Sequence, residues 1–181
     1  MSPKLRIVMS VAFCVIALDV VTKSLVAAYV SPYAPFEVIP GFFQITHARN
    51  PGGALGLFRT LPPWVFVLVT IVALGLIRSF YAALPSNDRY ASTALGLIVA
   101  GAIGNLIDRV FRGAVVDFLQ FDLGLFIFPD FNVADSGIVI GVALLMLDFV
   151  ANETSEAAGD EDAEVPPPDA PPEGPATADR G

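Results

Sequence analysis

The chain contains one cysteine and one histidine among 181 residues. The lone Cys14 excludes an internal disulfide and any metal site built from several thiolates. It lies in an apolar run, where a small packing residue is expected. The lone His47 leaves no material for a His-rich zinc site, and a histidine-based triad would depend on that one ring. Charge is scarce as well, at 15% of residues. No internal repeat is evident, which counts against transporters assembled from duplicated halves. Nothing in the chain calls for a cofactor, a resident metal or a nucleic-acid partner.

Apolar sequence takes the place of these groups. Hydrophobic residues make up 55% of the chain and the mean hydropathy is +0.68, which points to an integral membrane protein before any motif is read. The net charge of −8 is placed unevenly. Residues 152 to 181 hold nine acids against one base and six of the fifteen prolines, without an aromatic residue. Such a segment buries too little apolar surface to offset the entropy of ordering, so it reads as a disordered, solvated tail. The rest of the chain, residues 1 to 151, carries equal numbers of acids and bases.

Four stretches in that part are long enough to span a bilayer: 7 to 30, 64 to 84, 90 to 111 and 132 to 150. The first is too long, and lacks a following small-residue site, to read as a cleaved signal peptide. Four spans place both termini on one side. The basic residues do not say which side, because Lys4, Arg6, Arg78 and Arg89 are matched by Arg49, Arg59, Arg109 and Arg112 opposite. Cytoplasmic termini are expected because two bases precede the first span. Between spans one and two, FEVI (36 to 39), FFQITHA (42 to 48) and ALGLF (54 to 58) alternate with Pro-Gly turn signals, suggesting a small sheet at the membrane face. The third connection, 112 to 131, is apolar enough to lie in the interface.

The polar residues of the spans are grouped. Asp19, Thr22 and Lys23 share one helix face, as do Asn105, Asp108 and Arg109, and Asn132 and Asp135. At 1.5 Å per residue, Asn105 lies about 9 Å, Asp135 about 5 Å and Asp19 about 16 Å below the non-cytoplasmic surface. Asp117 follows the third span on that side. Asp19 and Lys23 could simply neutralise each other, and Arg109 could extend to the headgroups. Asp148 reads as interfacial, and Asp122 and Asp130 need no special role. Asp117 and Asp135 together are harder to dismiss, since ionisable groups at membrane depth are functional by default. Two neighbouring carboxylates keep one proton between them and supply an acid and a base at one pH. The residues alone leave open an intramembrane aspartyl hydrolase, a proton-coupled membrane transporter using the same aspartates, and a non-enzymatic membrane scaffold.

Four ordered blocks narrow the choice. LDVVTK (18 to 23), RNPGGALGLF (49 to 58), GAIGNLIDRVFRGAVVDF (101 to 118) and FNVADS (131 to 136) resemble the motif blocks of the lipoprotein signal peptidase (signal peptidase II) family. The second block departs at Gly53 and Leu55, where the family pattern is nearer N-x-G-A-A-F. The resemblance implies an α-helical integral membrane protein with four transmembrane helices, a small periplasmic β-cradle over about 31 to 63, and an interfacial loop segment. It implies a bacterial inner-membrane aspartyl endopeptidase that cuts a prolipoprotein before its diacylglyceryl-modified Cys, works against membrane lipid, and is inhibited by globomycin. By motif position Asp117 and Asp135 are the implied catalytic pair. Asp19, Lys23, Asn50, Gly52, Asn105, Asp108, Arg109 and Asn132 are implied to line or brace the site.

Overall fold

The computed structural model describes residues 1 to 52, 61 to 85 and 88 to 163, with side chains described up to 151 and not at 63. The elements in chain order are α1 (Pro3–Tyr29), β1 (Phe36–Ile39), β2 (Phe43–Asn50), α2 (Pro63–Ala83), α3 (Arg89–Arg112), β3 (Val115–Phe121) and α4 (Val133–Ala163). The chain divides into two compact units, Met1–Met146 and Leu147–Gly181. Every candidate site residue lies in the first.

The four helices are long and apolar enough to cross a membrane: Pro3–Tyr29, Trp64–Ala83, Arg89–Arg112 and Val133–Ala151. Their ends follow local chemistry. Ser2 accepts the N–H of Leu5 with Pro3 in the first turn, and Asp88 accepts that of Ala91. Gly113, at φ 73°, ends α3 in the left-handed conformation a side chain would resist. Asn132 Oδ1 accepts the N–H of Asp135 at 2.9 Å and so caps the start of α4.

Helix α3 is the central element, packed against both α1 and α2. It is the least apolar span, yet half of its most hydropathic window is buried, against none for α2. Its buried face is made of small residues, among them Ala91, Ser92, Ala94, Ala100, Gly101 and Gly104. Small residues let backbones approach closely where lipid supplies no hydrophobic drive for association. At Gly104 an added Cβ would stand 2.6 Å from Asp19 Oδ2 and 3.1 Å from the Cβ of Ala134, so α1, α3 and α4 meet there.

The sheet runs β1-β2-β3 and is antiparallel throughout. It corrects the expected extent of the cradle. Two strands come from the first connection, but β3 comes from 115 to 121, part of the connection expected only to lie in the interface. Its residues VVDFLQF have the β-branched and aromatic composition of a strand, and pairing with β2 satisfies their backbone. The expected ALGLF segment, 54 to 58, lies outside the described residues. Two residues of β2, Thr46 and His47, form a bulge between the pairs Ile45↔Leu119 and Ala48↔Asp117. His47 Nδ1 lies 2.9 Å from the carbonyl of Val30, joining the sheet to the end of α1.

Two further expectations change. Helix α4 continues to Ala163, beyond the expected boundary at 151, where Ala and Glu favour helix over coil. Cys14 is exposed on α1 rather than packed inside.

Candidate active site

Among the described residues, seven polar or charged ones are buried: Asp19, Lys23, Ser92, Asn105, Asp108, Asp117 and Asn132. All but Ser92 join one network. Lys23 Nζ lies 2.8 Å from Asp19 Oδ2 and 3.2 Å from Asp108 Oδ2, and donates to Asn105 Oδ1 at 3.0 Å. Arg112, four residues after Asp108 on α3, reaches its Oδ1 at 2.7 Å and donates to Ser24 of α1 at 2.9 Å. Two acids thus meet two bases, the balance that buried charge requires. The pairing of Asp19 with Lys23 stands, but it is one part of a cluster that reaches across to α3.

The Lys23 ammonium orients Asn105. It holds the amide oxygen, so the amide nitrogen faces the other way and donates to Asp135 Oδ1 at 2.7 Å. Asn132 Nδ2 donates to Asp117 Oδ1 at 2.6 Å and to Asn105 Oδ1 at 3.3 Å. Asn50, the last residue of β2, donates to Asp117 Oδ2 at 3.0 Å. Its own oxygen accepts the N–H of Gly52 at 3.1 Å, which fixes the amide's direction. The amide nitrogens of all three asparagines thus serve the two aspartates.

Eighteen residues separate Asp117 from Asp135, and a backbone bridge closes most of that gap. Phe131 receives the N–H groups of Phe118 and Leu119 at 2.9 and 2.8 Å and donates to Leu119 O at 3.1 Å. The start of α4 is therefore fastened to β3, and both aspartates line one cavity of about 410 Å³ with Asn50, Asn105, Arg109 and Asp130. Phe128 and Phe131 add an aromatic wall.

Burial raises the pKa of Asp117 to about 6; the Asn50 hydrogen bond opposes the rise and the Asp135 carboxylate adds to it. Asn132 and Lys23 pull it the other way. This carboxyl can thus keep or release its proton near neutrality. Losing the Asn50 amide removes a bond that favours the ionised form. In Asn50→Ala protein the acid limb of any pH–rate profile governed by Asp117 should shift upward, and an unmoved limb would remove Asn50 from the electrostatics of the site.

Arg109 is half-buried. It lines the cavity, stacks over Phe66 of α2 at 5.2 Å and donates to Asn105 O at 3.2 Å. Its buried Nε has no hydrogen-bond partner among the described residues. Two residues escaped the sequence reading. Arg112 could have been found from its i, i+4 spacing to Asp108. Asp130 carried no local signal, yet it lines the cavity and accepts a hydrogen bond from Gln120, which in turn accepts one from Gln44 across the sheet.

Known proteins resemble this chain over most of its length. Residues 11–151 match the family model described as Signal peptidase (SPase) II. The lipoprotein signal peptidase of Geobacter sulfurreducens is 42% identical over 160 residues, covering 87% of this chain and 99% of that protein. That of Desulforapulum autotrophicum is 43% identical over 150 residues, covering 81% and 93%. A bacterial membrane enzyme solved by the in meso method at 2.3 Å superposes with a TM-score of 0.76 at 35% identity, over 82% of this chain and 90% of that one. With its membrane-spanning helices, its sheet and the match over most of its length, the chain belongs to the signal peptidase II family of membrane proteases.

Proposed function

We propose that this protein is an intramembrane aspartyl endopeptidase that removes signal peptides from prolipoproteins, cutting just before the diacylglyceryl-modified Cys. The observation that carries the reading is the pair Asp117 and Asp135, each held by a different asparagine and both lining one cavity. One carboxylate takes a proton from a water molecule as its oxygen attacks the scissile carbonyl. The other, protonated, donates to the carbonyl oxygen as it becomes tetrahedral. Collapse of the intermediate breaks the C–N bond: one of its hydroxyls returns a proton to the ionised carboxylate while the nitrogen leaves with the proton of the other, so the dyad again holds a single proton. The two groups titrate as a unit, so the acid and base roles belong to the pair.

The position of the site suits a lipid-anchored substrate. Asp135 lies in the first turn of its span, and the cavity is walled by α3, α4 and the sheet. A peptide bond beside acyl chains rooted in the outer leaflet meets the dyad without withdrawal of the lipid. Substrate backbone groups at that depth need partners, and Arg109 on the wall keeps one N–H, at Nε, without a partner among the described residues. In this reading the protein sits in the bacterial cytoplasmic membrane with both ends of the four-span segment in the cytoplasm. A transporter would want polar groups through the whole bilayer, whereas these gather toward one end of the helices.

The test is a gel-shift assay with purified protein and a diacylated prolipoprotein reporter. Processing that requires the diacylglyceryl group and stops with globomycin supports the reading; cleavage that ignores both overturns it. Asn105→Ala removes a bond to a charged group worth about 1.5–3 kcal/mol, which converts to about 10- to 100-fold in rate. The loss should appear in kcat, because the amide holds Asp135. A change confined to KM would instead return Asn105 to substrate binding.

A further inference from the structure

Lys23 has three N–H groups on its ammonium and three acceptors around it: Asp19, Asp108 and Asn105. The acceptors match its donors in number. Each of these partners leads onward to the dyad in one step. Asp19 Oδ1 accepts the backbone N–H of Ala134 at 2.9 Å, the residue directly before Asp135. Asp108 Oδ2 accepts the N–H of Val116 at 3.1 Å, the residue directly before Asp117. Asn105 donates to Asp135 itself.

A pair that only let α1 insert would be complete on α1. Here a single cation at 0% exposure reaches through three partners to β3 and to the start of α4. Buried ion clusters add little stability over apolar residues of the same volume. The specific effect of this one is where it holds two stretches of backbone.

We propose that Lys23 is a positioning residue for the dyad, fixing the spacing of Asp117 and Asp135 through Asp19, Asp108 and Asn105. This rests on the aspartyl reading and adds to it a residue that touches neither substrate nor attacking water. The charged groups around Lys23 are Asp19 on α1, Asp108, Arg109 and Arg112 on α3, Asp117 on β3 and Asp135 on α4, with none from α2 facing it among the described residues. Its positive charge favours the ionised form of Asp117. Removing that charge therefore moves the acid limb of the pH–kcat profile upward.

Lys23→Met alone strands Asp19 as a buried charge and threatens folding. The double substitution Asp19→Asn with Lys23→Met removes one charge of each sign. It leaves Asp108 its Arg112 partner and leaves an amide oxygen for the N–H of Ala134. This variant should fold, lose about 10- to 100-fold in kcat, as expected for lost bonds to charged groups, keep KM near wild type, and show the raised acid limb. A folded double variant with wild-type kcat and an unmoved limb overturns the proposal. Asp117→Asn, assayed beside it, separates the two levels. Full processing by that protein sinks the aspartyl reading and this proposal together, whereas loss of processing there with an unaltered double variant sinks this proposal alone.

Discussion

Asp117→Asn and Asp135→Asn proteins each fail to process a diacylated reporter, with activity down by at least about 10³-fold, within the range that a positioned acid or base supplies. Asparagine preserves the shape of each side chain, so the cavity keeps its volume while the group loses its ability to carry a proton. At position 117 the change also has a folding consequence. The carboxyl sits at 3% exposure with its pKa raised by burial and by Asp135. Its ionised form is therefore disfavoured in the folded protein, and a neutral amide relieves that penalty. The amide also turns one of the two acceptors held by Asn50 and Asn132 into a donor, which opposes that relief, so thermal midpoints in detergent should stay close to wild type while activity disappears. Wild-type processing by either protein would remove the dyad. A loss of activity with an equal loss of folding would reassign Asp117 to structure.

Much of this site was legible in the sequence because spans and helix faces are written in short periods. Asp19 with Lys23, and Asn105 with Asp108 and Arg109, could be placed on shared faces by spacing alone. The family blocks then added Asn50, Asp117, Asn132 and Asp135, and the structure brings these residues together. What spacing does not encode is which atom of each side chain does what. Asn105 could be placed at the site but not oriented, because its own helix gives no hint that Lys23 takes its oxygen. Asp130 looked idle because its place on the cavity wall depends on Gln120 and on a backbone bridge from Phe131 to Leu119. β3 was read as interfacial because a mostly apolar stretch after a span has more than one home, and only pairing with β2 selects the strand. Local periodicity carried the helices, and long-range pairing carried the rest.

Gly101→Ala is expected to damage folding and activity together, although the substitution adds one methyl group far from any charge. A Cβ there would overlap the carbonyl oxygen of Ala134 and stand 2.5 Å from Ile138 Cγ1. Overpacking of this kind costs about 1–3 kcal/mol, occasionally more. The nearest atom is backbone, so no rotamer change relieves it and α4 must move away from α3. Ala134 is the residue whose N–H is held by Asp19, and its neighbour is Asp135, so that movement opens the dyad. Gly75→Ala is the matching control, since its added Cβ meets nothing within 4 Å on α2. Thermal unfolding and reporter cleavage should leave the Gly75 variant close to wild type and lower both values for Gly101→Ala. Trimming Ile138 to Ala in the Gly101→Ala background removes the side-chain clash but not the backbone one. Rescue should therefore be partial at most. Full recovery of activity in that double variant would mean that α3 and α4 touch through a movable side chain, and that the close approach of their backbones does not set the position of Asp135.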